Sequence, residues 1–251
     1  YECEFLGTGD TFIDRHTLTR LKDSEVKEYG SKYSNRMRIF KEPDPYTEYI
    51  MGVDSSFGRE WDYSAFHIIN AYNGEQVAEF YSNKTSIHDF AKIIHDEGVR
   101  YNTAHVVVER NGLGIALIEE LFENLEYENM WMDENSEFGL QITTKSRESI
   151  LTSLEHSLRS SLIRVNSERT VNELLTFIIN SNGKVEADDG YNDDLVMSLA
   201  LTAYVIEDIR NGAPVLPTKN ESVAPGDVTF EVPFKTSSGD LNNEDIKWLI
   251  D

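Results

Sequence analysis

The order of apolar and polar positions predicts a chain in which strands and helices alternate. Three apolar runs in the first third of the chain are short enough to be strands: 49–54, 64–72 and 75–82. The dipeptide Asn73-Gly74 separates the second run from the third and is typical of a tight hairpin turn. Positions 86–97 then carry apolar residues at helical spacing, with Ser86 as the expected N-cap. This order predicts a sheet that contains a hairpin and is covered by a helix.

The rest of the patterned region continues the alternation. The run TAHVVVE is typical of a buried strand that ends in Glu109. Two further strands are predicted at FGLQITT (138–144) and SLIRV (161–165). Helical spacing predicts four more helices, at 111–125, 146–160, 167–180 and 192–209. The whole pattern predicts an α/β fold with a mixed central sheet and helices on both faces.

The two ends of the chain lack this regular pattern. Residues 1–48 are mixed, and the pair Pro43 and Pro45 predicts a linker that leads into the first strand. Four prolines and little periodicity follow residue 210, so 211–251 is predicted to be a weakly structured tail, with 248–250 as a docking hook. We therefore expect an N-terminal extension (1–48), one domain (49–210) and a C-terminal tail (211–251).

Composition narrows the class of protein. A chain of 251 residues, 39% of them hydrophobic, can bury a substantial core. One cysteine, Cys3, is too few for a disulfide framework. No apolar run approaches the roughly 18 residues of a membrane helix, and no signal peptide opens the sequence. These features predict a soluble intracellular domain, and the missing initial methionine indicates an excised fragment.

Charge is distributed unevenly. The net charge of −22 disfavours a nucleic-acid partner, because phosphate binding requires a basic surface. Residues 15–41, however, contain eight Lys and Arg against three acids, and residues 141–169 are mildly basic. Residues 119–137 carry eight acids and no Lys or Arg. The total charge therefore weakens the case for DNA binding, while clustered acids are what a metal-binding enzyme needs.

Carboxylates lie at positions where a core element calls for an apolar residue. Asp54 ends the strand YIMGV, and Glu109 follows three consecutive valines. Asp193 and Asp194 begin the apolar final helix, where either could instead be a helix cap. Open α/β sheets place their sites at the carboxyl ends of strands and at helix starts. Buried carboxylates need a cation, and no Lys or Arg matches these positions apart from Arg110.

A divalent cation would balance these charges. Hard oxygen ligands favour Mg²⁺ or Mn²⁺, and two such ions roughly 3.5–4 Å apart form the clamp used in phosphodiester hydrolysis. Other chemistries find less support, since the sequence has no phosphate-binding P-loop motif, no zinc-binding cluster and no G-x-S-x-G motif. His67 and His105 fall on strand patterns and are predicted to be packed core residues.

Four motifs in order resemble a known family. The stretches are YIMGVDSSFGREWDYSAFHII, VVVERNGLG, ITTKSRESIL and GYNDDLVMSLALTAY. Strand-Asp, strand-Glu and Asp at the head of a late helix resemble the acidic site of ribonuclease H-like nucleases. More narrowly, the stretches are similar to the nuclease domain of the large terminase subunit of tailed phages. The opening YECEFLGTGDTFI is similar to the segment that joins the ATPase domain to this nuclease, and the resemblance spans roughly 1–209.

This resemblance implies a ribonuclease H-like fold and a set of site residues. Asp54 and Glu109 take the first and second metal-ligand positions, and the pair Asp193–Asp194 supplies the third. Asp62 falls where some relatives have a further acid near the second metal. Which member of the Asp193–Asp194 pair is the main ligand stays open. The basic stretches supply the expected DNA contacts: Arg36, Arg38, Lys145 and Arg147.

The implied activity is hydrolysis of DNA with two Mg²⁺ or Mn²⁺ ions, at the start and end of genome packaging. The implied partners are double-stranded DNA, the ATPase domain of a longer chain, the portal protein and the small terminase subunit, with no membrane. The expected location is the cytoplasm of an infected bacterial host.

Three alternatives remain open from the sequence. A Holliday-junction resolvase would share the acidic site. GVDSSFG also resembles the first phosphate loop of actin-like kinases. The third alternative is a docking domain that keeps the fold without the chemistry.

Overall fold

The computed structural model describes residues 10–24, 28–56 and 63–210. Its early elements in chain order are β1 (Asp10–Thr11), α1 (Arg15–Asp23), β2 (Gly30–Lys32), β3 (Met37–Ile39), β4 (Tyr49–Asp54), β5 (Ser64–Asn70), β6 (Gln76–Ser82), α2 (Ile87–Arg100) and β7 (His105–Val108). The later elements are α3 (Leu113–Glu119), α4 (Thr144–Arg159), α5 (Glu168–Leu175), β8 (Phe177–Ile179), β9 (Val185–Ala187) and α6 (Asp194–Arg210). A π-helical segment, Glu120–Asn124, extends α3.

A mixed sheet of six strands forms the centre of the fold, in the order β2-β3-β6-β5-β4-β7. The pair β4–β7 is parallel, and its register sets Val53 beside Val108. The other neighbouring strands are antiparallel, including the β5–β6 hairpin predicted at Asn73-Gly74. Because β4 and β7 run in the same direction, the residues that follow them reach the same edge of the sheet.

Helices cover both faces of this sheet, as the pattern predicts. Along β4, Ile50 packs into a core with α4, α5 and α6. Met51 and Val53 belong to a second core, which includes residues of α2 and α3. The predicted α/β fold with a mixed central sheet is therefore confirmed. Among the residues that the structure describes, no helix combines the length and apolar character needed to cross a bilayer.

Helix starts agree well with the capping pattern. Ser86 caps α2 by accepting a hydrogen bond from the backbone N–H of Asp89. Ser167 caps α5 through the N–H of Thr170, and Thr143 forms a capping box with Ser146 at the start of α4. Short polar residues before an apolar run thus mark these boundaries to within about two residues.

Three predicted elements differ in the structure. FGLQITT makes single bridges at Phe138 and Leu140 rather than a strand, because Gly139 between them has a φ of 77°. SLIRV makes one bridge, at Arg164, after Ser161 in a left-handed conformation. The helix predicted at 167–180 ends at Leu175, and the apolar run Phe177–Ile179 pairs with β1 and β9 instead. A short apolar run fits either a helix or a strand, and here the neighbouring strands decide.

Part of the segment 1–48, which is predicted to be an extension with a linker, forms strands of the central sheet. Met37 and Ile39 of β3 are buried, and β2 and β3 extend the central sheet at one side. The turn between them is tied to α2, since Lys32 Nζ lies 2.6 Å from Glu97 Oε1 and the Tyr33 hydroxyl donates to the same oxygen. The boundary expected at residue 48 therefore does not coincide with an edge of the sheet. The predicted tail at 211–251 lies outside the described residues.

Gly52 lets α6 approach β4 closely, and this contact predicts a stability effect. A Cβ at Gly52 would collide with the Thr202 hydroxyl and with the Ser198 carbonyl oxygen. We expect Gly52→Ala to lower the free energy of unfolding by about 1–3 kcal/mol, the usual cost of overpacking. Gly30→Ala is the matched strand control, because nothing lies within 4 Å of its added Cβ. Urea unfolding of both variants checks this, and equal stability of the two would contradict a tight β4–α6 contact.

Candidate active site

Asp54 and Glu109 meet at the shared end of β4 and β7. The backbone N–H of Glu109 donates to the Val53 carbonyl at 3.0 Å, which aligns the two chain ends. The carboxyl groups of Asp54 and Glu109 are hydrogen-bonded to each other. Burial raises the pKa of Glu109, and the negative charge of Asp193 adds to this, against the opposing effects of Arg147 and the Asp54 hydrogen bond. Two ionised carboxylates side by side repel each other, so the acids at this end of the sheet favour a positively charged partner.

Asp193 reaches this pair from the start of α6. Its carbonyl accepts from the N–H of Met197 at 2.7 Å, as expected of a residue that opens a helix. Its carboxylate Oδ2 lies 3.3 Å from Arg147 Nη2. Asp194 instead acts on a different group, since its charge raises the pKa of Glu173. Successive helical residues point about 100° apart, so the two aspartates cannot face one point equally.

Arg147 lies among these acids, whereas the sequence predicts it as a DNA contact. It extends from the first turns of α4, and its guanidinium contacts Asp193 and the Val185 carbonyl, at 3.3 and 3.4 Å. The second terminal nitrogen, Nη1, lies 3.1 Å from the Met197 sulfur. Arg147 therefore supplies the positive charge that lowers the pKa of Glu109.

Arg110 follows Glu109 directly but pairs with other acids. Its guanidinium donates to Asp133 at 2.8 Å and lies 2.5 Å from Glu137. Both partners belong to the acidic segment 119–137, which thus anchors itself to the end of β7. The basic residue that lies near the candidate site comes from a distant helix and not from the neighbouring position.

A second group of polar residues supports the start of α6, and the sequence analysis missed it. Glu173 of α5 accepts hydrogen bonds from the backbone N–H groups of Leu195 and Val196, at 2.9 and 3.3 Å. Burial raises the pKa of Glu173 to about 8, despite these bonds and a hydrogen bond with Tyr81. Tyr81 also accepts from the Asn192 amide at 3.1 Å. An acid inside the amphipathic α5 pattern, beside Val171 and Leu174, is the signal that could have identified this group.

The chemistry of the acids fits a divalent cation. Asp54 and Glu109 offer hard oxygen ligands side by side, and a cation would relieve the repulsion between their charges. Within the described ranges, no group of three or more His, Cys, Asp or Glu side chains is arranged to hold a metal ion by itself. Asp193, the third acid, is paired with Arg147. Asp62, the further predicted ligand, lies outside the described residues.

The other predicted DNA-binding residues lie apart from these acids. Lys145 is exposed in the first turn of α4. Arg36 donates to the Tyr33 carbonyl and to the Thr85 hydroxyl, at 2.9 and 3.0 Å, and so holds the turn before β3. Arg38 lies 3.7 Å from Glu28. None of these contacts involves Asp54, Glu109 or Asp193.

The predicted core histidines are confirmed. His67 is fully buried, and its ring nitrogens contact the Leu195 carbonyl and the Gln76 amide at 3.0 and 2.7 Å. His105 is buried and contacts the Asn129 side chain at 2.7 Å. Burial lowers the pKa of both rings, so neither is suited to carry charge at neutral pH.

Comparison with known proteins agrees with the fold. The large terminase nuclease from thermophilic phage G20c, solved with bound magnesium, aligns with a TM-score of 0.62 and 19% identity, over 78% of this chain and 97% of that one. The same protein has been solved with bound cobalt, at 20% identity. The large terminase nuclease domain of Thermus phage P74-26 aligns with a TM-score of 0.59 and 20% identity, over 74% of this chain and 93% of that one. At these identities the likeness shows a shared fold.

A sequence-family model identifies the family to which this chain belongs. The model of the terminase RNase H-like domain matches residues 51–200, a range that contains Asp54, Glu109 and both aspartates at the start of α6. The match covers more than half of the 251 residues. The chain therefore belongs to the family of terminase RNase H-like domains.

Proposed function

We propose that this chain is the metal-dependent endonuclease of a phage DNA-packaging terminase. It cuts concatemeric double-stranded DNA at the initiation and termination of packaging, in the cytoplasm of an infected bacterial host. The observation that carries this proposal is that Asp54 and Glu109 meet at the shared end of the parallel strands β4 and β7, within the range that matches the terminase family. The large terminase nuclease of phage G20c has been solved with bound magnesium, which supports a divalent cofactor here.

The site residues have separate roles in this proposal. Asp54 and Glu109 hold the cation, and Asp193 completes the ligand set from α6, with Asp194 and Asp62 as further candidate ligands. Bound Mg²⁺ or Mn²⁺, of which we expect two, supplies Lewis-acid stabilisation of the phosphodiester and an activated water. Both Asp54 and Glu109 would have to be ionised to hold the cation, so metal binding would be favoured by a rise in pH.

The remaining partners follow from the packaging role. The proposed partners are double-stranded DNA, the ATPase domain of a longer chain, the portal protein and the small terminase subunit. The net charge of −22 gives this domain little affinity of its own for DNA. A motor that holds DNA beside the site compensates by raising its effective concentration. Lys145, which is exposed, is the proposed phosphate contact outside the acids, and Arg36 and Arg38 are more distant candidates.

Cleavage by the isolated chain tests this function. We expect nicking and linearisation of supercoiled plasmid in the presence of Mn²⁺ or Mg²⁺, without ATP, because hydrolysis needs the carboxylates and the cation. Excess EDTA should remove all activity, and added ATP should leave the rate unchanged. Gel electrophoresis of the plasmid checks each condition. Cleavage that persists in EDTA would refute the metal-dependent reaction, and a lack of cleavage with either metal would refute the nuclease.

A further inference from the structure

Arg147 is held among the acids by weak contacts. Its ion pair to Asp193 is 3.3 Å long, and its guanidinium also contacts a carbonyl oxygen at 3.4 Å and a thioether sulfur at 3.1 Å. Sulfur is a poor hydrogen-bond acceptor, so the Nη1 group of Arg147 makes only a weak hydrogen bond. The side chains of Arg147 and Asp193 remain 26% and 34% exposed, which leaves water access to both.

Arg169 is held far more firmly than Arg147. Its Nε lies 2.6 Å from Glu79 Oε1, and the Glu79 side chain is fully buried. Its guanidinium also stacks over the Tyr81 ring, with 5.8 Å between the guanidinium carbon and the ring centroid. Displacement of Arg169 would leave a buried charge without a partner, at high cost. Displacement of Arg147 carries no such penalty once another cation stands beside Asp193.

A cation bound at Asp54 and Glu109 competes with Arg147 for the same charges. The Asp193 carboxylate cannot accept fully from Arg147 and bind the cation at the same time, and two cations in one small group of acids repel each other. A freed arginine next to the reacting DNA has a natural acceptor, because a guanidinium binds phosphate oxygens in bidentate geometry. Arg147 starts in the same turn of α4 as the exposed Lys145, so this helix end faces solvent.

We propose that Arg147 is a displaceable counter-cation, which neutralises Asp193 in the metal-free protein and moves to the DNA phosphate when the divalent cation binds. This inference rests on the proposed nuclease function for its second step. Its first step, competition with the cation, concerns the protein and metal alone and can be measured without DNA. Arg147 then connects metal binding to substrate binding, since it is available to DNA after the cation is in place.

Arg147→Gln separates the two steps by effects of opposite sign. We expect the variant to bind Mn²⁺ about 2- to 5-fold more tightly than wild type, the size expected for loss of one partly exposed ion pair. Under saturating Mn²⁺ and in single turnover, we expect plasmid cleavage to slow by about 10-fold or more, because a phosphate contact is lost. Isothermal titration calorimetry with MnCl₂ gives the first value, and gel-based kinetics gives the second.

Two variants control this test. Arg159→Gln removes the same charge from the last turn of α4, where the arginine pairs with Glu155 on the surface, and should change neither value. Arg147→Lys keeps the charge but not the planar fork, so we expect Mn²⁺ affinity near wild type with slow cleavage. Thermal melts in EDTA establish that each variant is folded, and Arg147→Met, which also removes the charge, provides the affinity test if Arg147→Gln does not fold.

The outcomes distinguish this inference from the proposed function. Equal or weaker Mn²⁺ binding by Arg147→Gln would overturn the counter-cation role, whatever the cleavage result. Tighter binding with unchanged cleavage would overturn the transfer of Arg147 to phosphate. If wild type binds Mn²⁺ but cuts no DNA, the nuclease proposal fails, while the affinity change still decides the first step. Wild-type protein that binds no Mn²⁺ would overturn both.

Discussion

Asp54→Asn is expected to abolish DNA cleavage while leaving the metal-free protein at least as stable as wild type. The carboxyl group of Asp54 is hydrogen-bonded to Glu109, and Asp193 adds a further negative charge to the same group of acids. An asparagine amide can donate to Glu109 without a second negative charge, so repulsion falls. Loss of a metal ligand removes several kcal/mol of transition-state stabilisation, which corresponds to roughly 10³-fold or more in rate.

Thermal melts with and without metal make this prediction specific. In EDTA, Asp54→Asn should melt at or above the wild-type temperature. Added Mg²⁺ should stabilise wild type by about 2.7 kcal/mol at 100 times its dissociation constant and the variant by less. Asp44→Asn, in the exposed turn before β4, is the matched control and should preserve both cleavage and the response to metal. A variant that melts lower in EDTA and still cleaves would show that Asp54 ends its strand for architectural reasons alone.

Glu79→Ala is expected to destabilise the fold by about 3–5 kcal/mol, the cost of breaking a buried ion pair. Glu79 is fully buried on β6, where Arg169 Nε and the Thr170 hydroxyl each donate to it at 2.6 Å. Removal of the carboxylate leaves the partly buried Arg169 without its counter-charge. Glu75→Ala is the control, since Glu75 pairs with exposed Lys41 and should contribute no more than about 1 kcal/mol.

The pH dependence of stability gives an independent check on Glu79. Burial alone would raise its pKa, but Arg169, His67 and the Thr170 hydrogen bond outweigh burial and hold the pKa below the usual 4.5. The unfolded state therefore binds more protons than the folded state in this range. The stabilisation from Glu79 is fully present above about pH 4.5 and is lost as the pH falls through the folded pKa. Urea unfolding at pH 7 and pH 4 should show a smaller acid sensitivity for Glu79→Ala than for wild type.

A double substitution distinguishes a lost pair from a lost contact. If the cost of Glu79→Ala is the unpaired charge of Arg169, then Glu79→Met combined with Arg169→Met should recover much of the stability. A double variant less stable than Glu79→Ala alone would mean that the network contributes beyond its charge balance.

The elements that carry the acids could be predicted because strand-ending carboxylates stand out from their apolar neighbours. Asp54 and Glu109 are visible in this way, but their contact depends on the parallel pairing of β4 with β7, which no local pattern specifies. Arg110 and Arg147 show the limit of such reasoning. Sequence adjacency favours Arg110 as the partner of Glu109, yet the Arg110 side chain pairs with Asp133 in the acidic segment. The arginine that lies among the acids is Arg147 of α4, which pairs with Asp193.

The start of α6 shows a second limit. The pattern identifies two successive aspartates there, and helical geometry indicates that their side chains point in different directions. The sequence does not indicate which of the two side chains lies nearer to Glu109. The tie between Glu173 and the N–H groups of Leu195 and Val196 is a tertiary contact that depends on how α5 and α6 pack. The assignment of Phe177–Ile179 as helix was wrong for a similar reason, since its partner strands lie far away in sequence.

The packing of α6 against β4 also has a consequence for biosynthesis. Asp54 leaves the ribosome early, whereas Asp193 and the buried α6 residues that cover Gly52 come late in the described chain. Domains fold as units, and contacts between distant parts of a chain form last. An interrupted or nascent chain without α6 therefore lacks both a core layer and the third acid. On the proposed function, we therefore expect translation products that end before this helix to lack cleavage activity.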